Sequence, residues 1–436
     1  MKKFITKKSE ELFQELSQYL VDGVSSSFHK AENESYPIAM THGKGSKLYD
    51  VDGNEYIDYI GGFGPMILGY APEAVNVAVK KQIEKGSQFS TPTQQLLDLS
   101  KKLTEIIPCA EMVSFQSSGT EANMHAWRLA RAYSRKQKIV KFSGQYHGWS
   151  DEQKISITAN ADTFGTEKAP SRIMTTAGQR KAATDDVIIA SWNHTDALET
   201  LFQQKGDEIA AVVMEPYMCD EGPIMPASGY LEKVRTLCTK YGVVLIFDEV
   251  ITGFRMALGG AQQYFGITPD LSVFGKAIAG GYSLSMVCGK REIMNCGVHP
   301  SGTFNATPIA VAAALATIEE LSKPGIYEQM DKLGEMFCNE LALLSKKHGI
   351  ALYTEHHGGI IQLEMGMERA PKDYHDYLNH ANIQMYNALY LLMRDYGVRI
   401  TSFRGRIYLT TAHTEKDIQK TMEVFDFVLP MLKTEK

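Results

Sequence analysis

The chain has 436 residues, enough for two or three domains, with 44% hydrophobic and 22% charged residues, an ordinary balance for a globular protein. Its formal charge of -6 and the lack of any dense basic run exclude a nucleic-acid surface as the purpose of the fold. Six scattered cysteines without a CxxC pair, an N-terminus without an apolar signal core, and no apolar run of bilayer length point to a soluble cytoplasmic protein with no membrane partner.

In chain order, the apolar spacing of Leu12, Phe13, Leu16, Tyr19 and Leu20 predicts an amphipathic helix over residues 9–20. SKLYDVDGNEYIDYI (46–60) alternates apolar and polar residues around Asp52-Gly53, which predicts a hairpin. The middle of the chain then alternates strands with helices. MVSF (112–115), KIVKF (138–142), DVIIASW (186–192), IAAVVMEP (209–216), VVLIFDEV (243–250) and LSVFG (271–275) are short β-branched or aromatic runs. Helical patterns separate them, for example residues 229–241, so an α/β architecture with a mostly parallel sheet covered on both faces is expected. From about residue 316 the pattern changes to long helices such as 327–347, broken by HGGIIQLEM and RIYLTT as strands. That reads as a smaller α+β domain. No internal repeat stands out.

The chemistry collects at predicted strand ends. SSGTEA (117–122) follows MVSF and opens a helix with a face of Ala122, Ala126, Leu129, Ala130 and Tyr133. A strand, a Gly/Ser/Thr turn and a helix aim backbone N–H groups at an anion, and the hydroxyls of Ser118 and Thr120 add donors. The plainer reading of the same turn is a helix N-cap. GQYHGWSD (144–151) follows KIVKF; Tyr146 lies flat on an aromatic cofactor or closes the core edge, and His147 is a turn histidine. Glu215-Pro216 ends a further strand. His356-His357 reads as a surface pair, and no third ligand stands at zinc-like spacing.

Asp248 ends one apolar strand and Lys276, 28 residues later, ends the next. A carboxylate there is costly unless a cation meets it, and a lysine between an apolar strand and a glycine run can lose its proton. Taken singly, Asp248 is as well explained by a cap or an ion pair, and Lys276 by a solvated lysine. As a set along one sheet edge they suit pyridoxal 5'-phosphate, which offers a ring nitrogen at one end and an aldehyde at the other.

The same stretches carry a family resemblance. LYDVDGNEYIDYIGGFGPMILG (48–69), SSGTEANMHAWRLARAYSRKQKIVKFSGQYHG (117–148) and VLIFDEVITGFR (244–255) resemble class III, fold-type I pyridoxal-phosphate aminotransferases from about residue 20 onward. Within that family the likeness is to glutamate-1-semialdehyde aminomutases and to β-amino-acid aminotransferases. It implies a seven-stranded, mostly parallel sheet between helices in a large domain over 66–315. It further implies a smaller α+β domain formed by both termini, with 1–65 packing against 316–436. By the same resemblance Lys276 holds the cofactor covalently, Asp248 keeps its ring nitrogen protonated, and Gly119 and Thr120 bind its phosphate, with the Ser118 hydroxyl read above as a further cofactor contact. Tyr146 stacks on the ring, Val250 packs its other face, and Glu215 lies in the cofactor site. Thr303 of GTFNATP would reach the phosphate of a second subunit, so a homodimer is implied.

The departures bear on substrate. Aminomutases resembling this chain have an arginine where His29 stands and an asparagine where Asp220 stands. GTFN is similar to aminotransferases of β-amino acids, which use a C-terminal-domain arginine for the substrate carboxylate, and Arg404 matches its place. Arg404 reads equally as a solvated turn residue. The expectation is therefore transfer of an amino group between a β-amino acid, or an acyl derivative such as a thioester, and a 2-oxo acid. The alternatives are an intramolecular aminomutase and an amino-acid racemase or epimerase.

Overall fold

The structure, a computed structural model, describes residues 1–402 and 404–433. Its contacts divide the chain into two units. One comprises Glu73–Tyr327 and Ala370–His380; the other comprises Met1–Pro72, Glu328–Arg369 and the chain from Ala381 onward.

The first of these units is built on a seven-stranded sheet: β1 (Met112–Gln116), β2 (Lys138–Phe142), β3 (Val187–Ala190), β4 (Ile209–Met214), β5 (Val244–Glu249), β6 (Leu271–Phe274) and β7 (Ser285–Gly289). The spatial order is β1-β7-β6-β5-β4-β2-β3. Neighbours are parallel except at β7, which runs antiparallel to both β6 and β1. This is the expected fold-type I sheet. The residue patterns foretold six of its strands, and SMVCG is the one they left out.

Burial follows the pattern required of parallel strands covered on both faces. Every residue of β4 and of β5 is buried, which explains why IAAVVM and VLIFDE show no alternation. Helix α1 (Gly119–Ser134) packs Ala122, Ala126, Leu129 and Ala130 with Val213, Ile246, Val273 and Val287 of the sheet. Its small residues let it lie close to the strands. Because β1, β2, β4, β5 and β6 share one direction, the loops after them open on one edge.

The other unit holds two small antiparallel arrays. Met40–Lys44, Lys47–Asp50 and Glu55–Asp58 form a meander, with Val398–Arg399 added parallel to its last strand. In the hairpin turn, Asp50 Oδ1 accepts from the N–H groups of Asp52 and Asn54, at 3.0 and 2.8 Å. Leu352–His357, Ile360–Met365 and Arg406–Tyr408 form the second array. Leu341, Ile361, Leu389, Met393 and Phe425 are among its shared core.

Two local expectations change. The N-terminal helix runs Lys7–Leu16 and stops short of residue 20: Ser17 turns its hydroxyl onto Phe13 O at 2.8 Å, and Gly23 comes back with φ +71° against the Phe13 ring. His356 and His357 are not a surface pair. They end the strand Leu352–His357 and are half-buried, because that strand is an edge of an array whose partner is fully buried. Among the described residues no helix is long and apolar enough to cross a membrane.

Candidate active site

At the C-terminal end of β5, Asp248 is 3% exposed. Its Oδ2 accepts from Asn123 Nδ2 at 2.8 Å and lies 2.7 Å from His147 Nδ1; its Oδ1 accepts from Val250 N at 3.0 Å. An ionised carboxylate can only accept, so Nδ1 is the protonated nitrogen of His147. Burial pushes the His147 pKa down, against the pull of Asp248, and its ring stands edge-on to Trp127. Asp248 thus has three donors, and among the described residues no lysine or arginine is ion-paired with it. One lone pair of Oδ1 stays available for a further donor.

The anion end is the turn between β1 and α1. Ser118 is the N-cap: its hydroxyl accepts from Glu121 N, while Glu121 Oε2 takes the N–H groups of Ser117 and Ser118 at 3.1 and 2.9 Å. That capping box spends the Ser118 hydroxyl. It leaves the backbone amides of Gly119 and Thr120 without an intrachain acceptor among the described residues, at the positive end of a 16-residue helix. The N-cap reading of the Ser-Gly-Thr turn therefore holds, and it leaves two amides at the helix end for an anion. Ser283 and Ser285, leading into and opening β7, donate to Ser117 O and Ser118 O at 2.8 and 2.7 Å and pin the turn.

Tyr146 shares a side-chain hydrogen bond with Thr120, and burial, then Asp220 and Asp248, push its phenol up to about 12. Its backbone N–H donates to Glu215 Oε1 at 2.8 Å. Glu215 Oε2 takes the N–H groups of Cys219 and Asp220 at 2.6 and 3.2 Å. Burial and the nearby Asp220 push Glu215 up to about 8, and its two oxygens clasp two loops together. Gln145 doubles the clasp by exchanging hydrogen bonds with the Glu215 backbone at 2.9 and 3.3 Å.

Val250 stands between two glycines. A Cβ on Gly119 would come within 3.2 Å of it and one on Gly275 within 3.4 Å. Lys276 follows directly, half-buried, at φ +46°, opening the single 3-10 turn Lys276–Ala279. A lysine in the left-handed region is a strained choice where glycine is the default, and such strain concentrates at working sites. β5 and β6 are adjacent and parallel, with Asp248 opposite Val273.

One sheet edge thus gathers Ser118, Gly119, Thr120, Tyr146, Glu215, Asp248, Val250 and Lys276. Thr303 is in the same unit, exposed, in the loop before the helix Pro308–Leu321. His29 and Arg404 belong to the other unit. His29 Nδ1 is 3.1 Å from Ser25 Oγ, and the residue lines a cavity of about 150 Å³ with Phe28, Phe63, Arg394 and Arg399. Both arginines are spent, Arg394 on Glu34 at 2.9 Å and Arg399 on Asp58 at 3.2 Å. Arg404 has φ +28°, and its charge opposes the rise that burial imposes on the Glu364 pKa.

Asn123, Gln145 and the buried role of His147 escaped the sequence reading. Asn123 had a signal: an amide amid alanines on the apolar face of a helix must find a partner. A pair of unused helix-end amides, a buried carboxylate held by three neutral donors and a half-buried amine fit the phosphate, ring nitrogen and aldehyde of pyridoxal phosphate.

Comparison with known proteins agrees. The profile of the family aminotransferase class-III matches residues 28–429. Glutamate-1-semialdehyde 2,1-aminomutase 2 of Brevibacillus brevis is 38% identical over 424 residues, covering 95% of this chain and 96% of that protein. An omega-transaminase from Sphaerobacter thermophilus superposes with a TM-score of 0.91 at 29% identity, covering 98% of both chains. A transaminase with PLP bound gives a TM-score of 0.86 at 25% identity over 99% of both.

Proposed function

The chain belongs to the class III aminotransferases, enzymes that depend on pyridoxal phosphate, and on that premise we propose that it shifts an amino group within one short carboxylate-bearing substrate. The proposed reaction is that of a glutamate-1-semialdehyde 2,1-aminomutase. The observation that carries this reading is 38% identity with such a protein over 95% of the chain.

When bound, pyridoxal phosphate supplies an aldehyde that takes up amines and a ring that accepts an electron pair. In this proposal Lys276 Nζ is the covalent anchor at rest. When not so engaged, its amine would serve as the base that takes a proton from the reacting carbon and gives one back in the reverse direction. Asp248 holds a proton at the ring nitrogen, and the bonds from Asn123, His147 and Val250 N keep its oxygens in place for that. The Gly119 and Thr120 amides bind the phosphate. Tyr146 and Val250 would pack against the ring, and Glu215 holds the Tyr146 backbone. Thr303 is assigned to the phosphate site of a second copy. The apolar side chain next to it supports that, since Phe304 is 65% exposed. The six free cysteines, none in a CxxC pair, support a cytoplasmic setting.

A second reading, transfer from a β-amino acid or its acyl derivative to a 2-oxo acid, is favoured by His29. Where resembling aminomutases have an arginine, this chain has an imidazole beside two arginines already paired. Arg404 is then the substrate's carboxylate fork. One experiment separates the readings: purified holoenzyme is given glutamate-1-semialdehyde with no oxo acid present, and the isomer with its amino group moved is quantified. Multiple turnovers are expected. An absolute requirement for an oxo acid, together with conversion to the pyridoxamine form by β-amino acids, would overturn the aminomutase reading.

A further inference from the structure

Lys141 is a cation with no route to water. It sits in the middle of β2, its side chain fully buried, and its Nζ donates to the carbonyl oxygens of Ile155 at 2.6 Å and Gln153 at 3.2 Å. Burial pushes its pKa down to about 7, against the pull of Glu215, Asp220 and Asp248. A buried ammonium is kept only where its hydrogen bonds are specific. These two hold one short stretch of backbone.

What that stretch carries is Gln153, itself fully buried. Its Oε1 accepts from Ser150 Oγ at 2.8 Å, and its Nε2 donates to Thr120 O at 3.1 Å, in the first turn of α1. Between them passes Gly148, where a Cβ would lie 2.5 Å from Gln153 Oε1 and 2.9 Å from Thr120 Cα. The loop bearing Tyr146 and His147 is therefore packed against the anion turn at a glycine, and the Gln153 amide joins the Tyr146–Thr120 bond in fastening the two.

We propose that Lys141 and Gln153 are positioning residues for the phosphate turn: the ammonium sets the 153–155 backbone, and the Gln153 amide thereby fixes Thr120 and the amides beside it. The proposal rests on the reading that Gly119 and Thr120 bind the phosphate of pyridoxal phosphate.

The test compares two ligands that differ only in the phosphate. Apoenzyme prepared from holoenzyme of wild type, Gln153→Leu and Lys141→Met is titrated with pyridoxal phosphate and with pyridoxal, following the absorbance of the bound form. Loss of one positioning bond is expected to weaken pyridoxal phosphate about tenfold in each variant. Pyridoxal affinity, which rests on Lys276 and Asp248, should stay at the wild-type value. Equal weakening of both ligands would mean a general structural role and would overturn the proposal, as would unchanged affinity for pyridoxal phosphate. Gln153→Leu keeps the test decisive if Lys141→Met fails to fold. Failure of the underlying reading looks different: borohydride would then fix no pyridoxyl group on Lys276 of the wild type.

Discussion

Asp248 receives three hydrogen bonds from groups that are themselves neutral, so its charge is oriented without being cancelled. Taking one away should show what orientation contributes. His147→Leu removes the 2.7 Å contact and leaves a buried carboxylate short of a donor. We expect kcat to fall about 10–100-fold, in line with a lost hydrogen bond to a charged group. The cofactor absorbance of the bound state should persist; loss of bound cofactor instead would refute the assignment. Glu215 makes a pH prediction. Burial raises its pKa from 4.5 to about 8, so between those values the folded chain holds a proton that the unfolded chain has released. Stability from this group is therefore present at low pH and lost as pH rises through that window. The apoprotein Tm should decline with pH there, and Glu215→Gln should flatten the decline; parallel slopes would exclude Glu215 as the cause.

At the scale of elements, the site is made by strand ends and the loops that leave them. Gly148 shows how tightly two loops are fitted. At φ +127° it adopts a conformation closed to other residues, and it has no space for a Cβ. Gly148→Ala should cost about 1–3 kcal/mol in the apoprotein. Urea unfolding checks this, and an unchanged midpoint would mean the two loops can separate without penalty. Strand β7 marks the limit of pattern reading. Only ten residues separate it from β6, with a single 3-10 turn inside, and that is too short for a parallel crossover. The direction was deducible from that spacing. The existence of the strand was not, because SMVCG lacks β-branched residues apart from one valine and follows a glycine run.

For the molecule as a whole, the open question is the second copy. Met124 lines one groove with Trp149 and another with Val298, Ser301 and Asn305, and Gln88 bonds Thr303 O. Phe304, beside Thr303, is left as an exposed apolar side chain. If a second copy covers it, Phe304→Asp should halve the mass measured by light scattering and weaken cofactor retention together. A monomeric wild type, or a variant of unchanged mass, would remove the dimer from the proposal.

Chain order, the placing of motifs at strand ends and family membership were all readable in one dimension, because motifs such as SSGTEA and VLIFDEV are contiguous and their periodicity follows from local backbone geometry. The company Asp248 keeps was not. Asn123 stands 125 positions away and His147 101, and only the crossing order of the sheet, which sets β5 under α1 and beside the loop after β2, brings them to its oxygens. The same holds for Lys141, a lone charge in an apolar strand whose meaning depends on which carbonyls fold over it. Local patterns fix which face a side chain takes; what waits on that face is decided by topology.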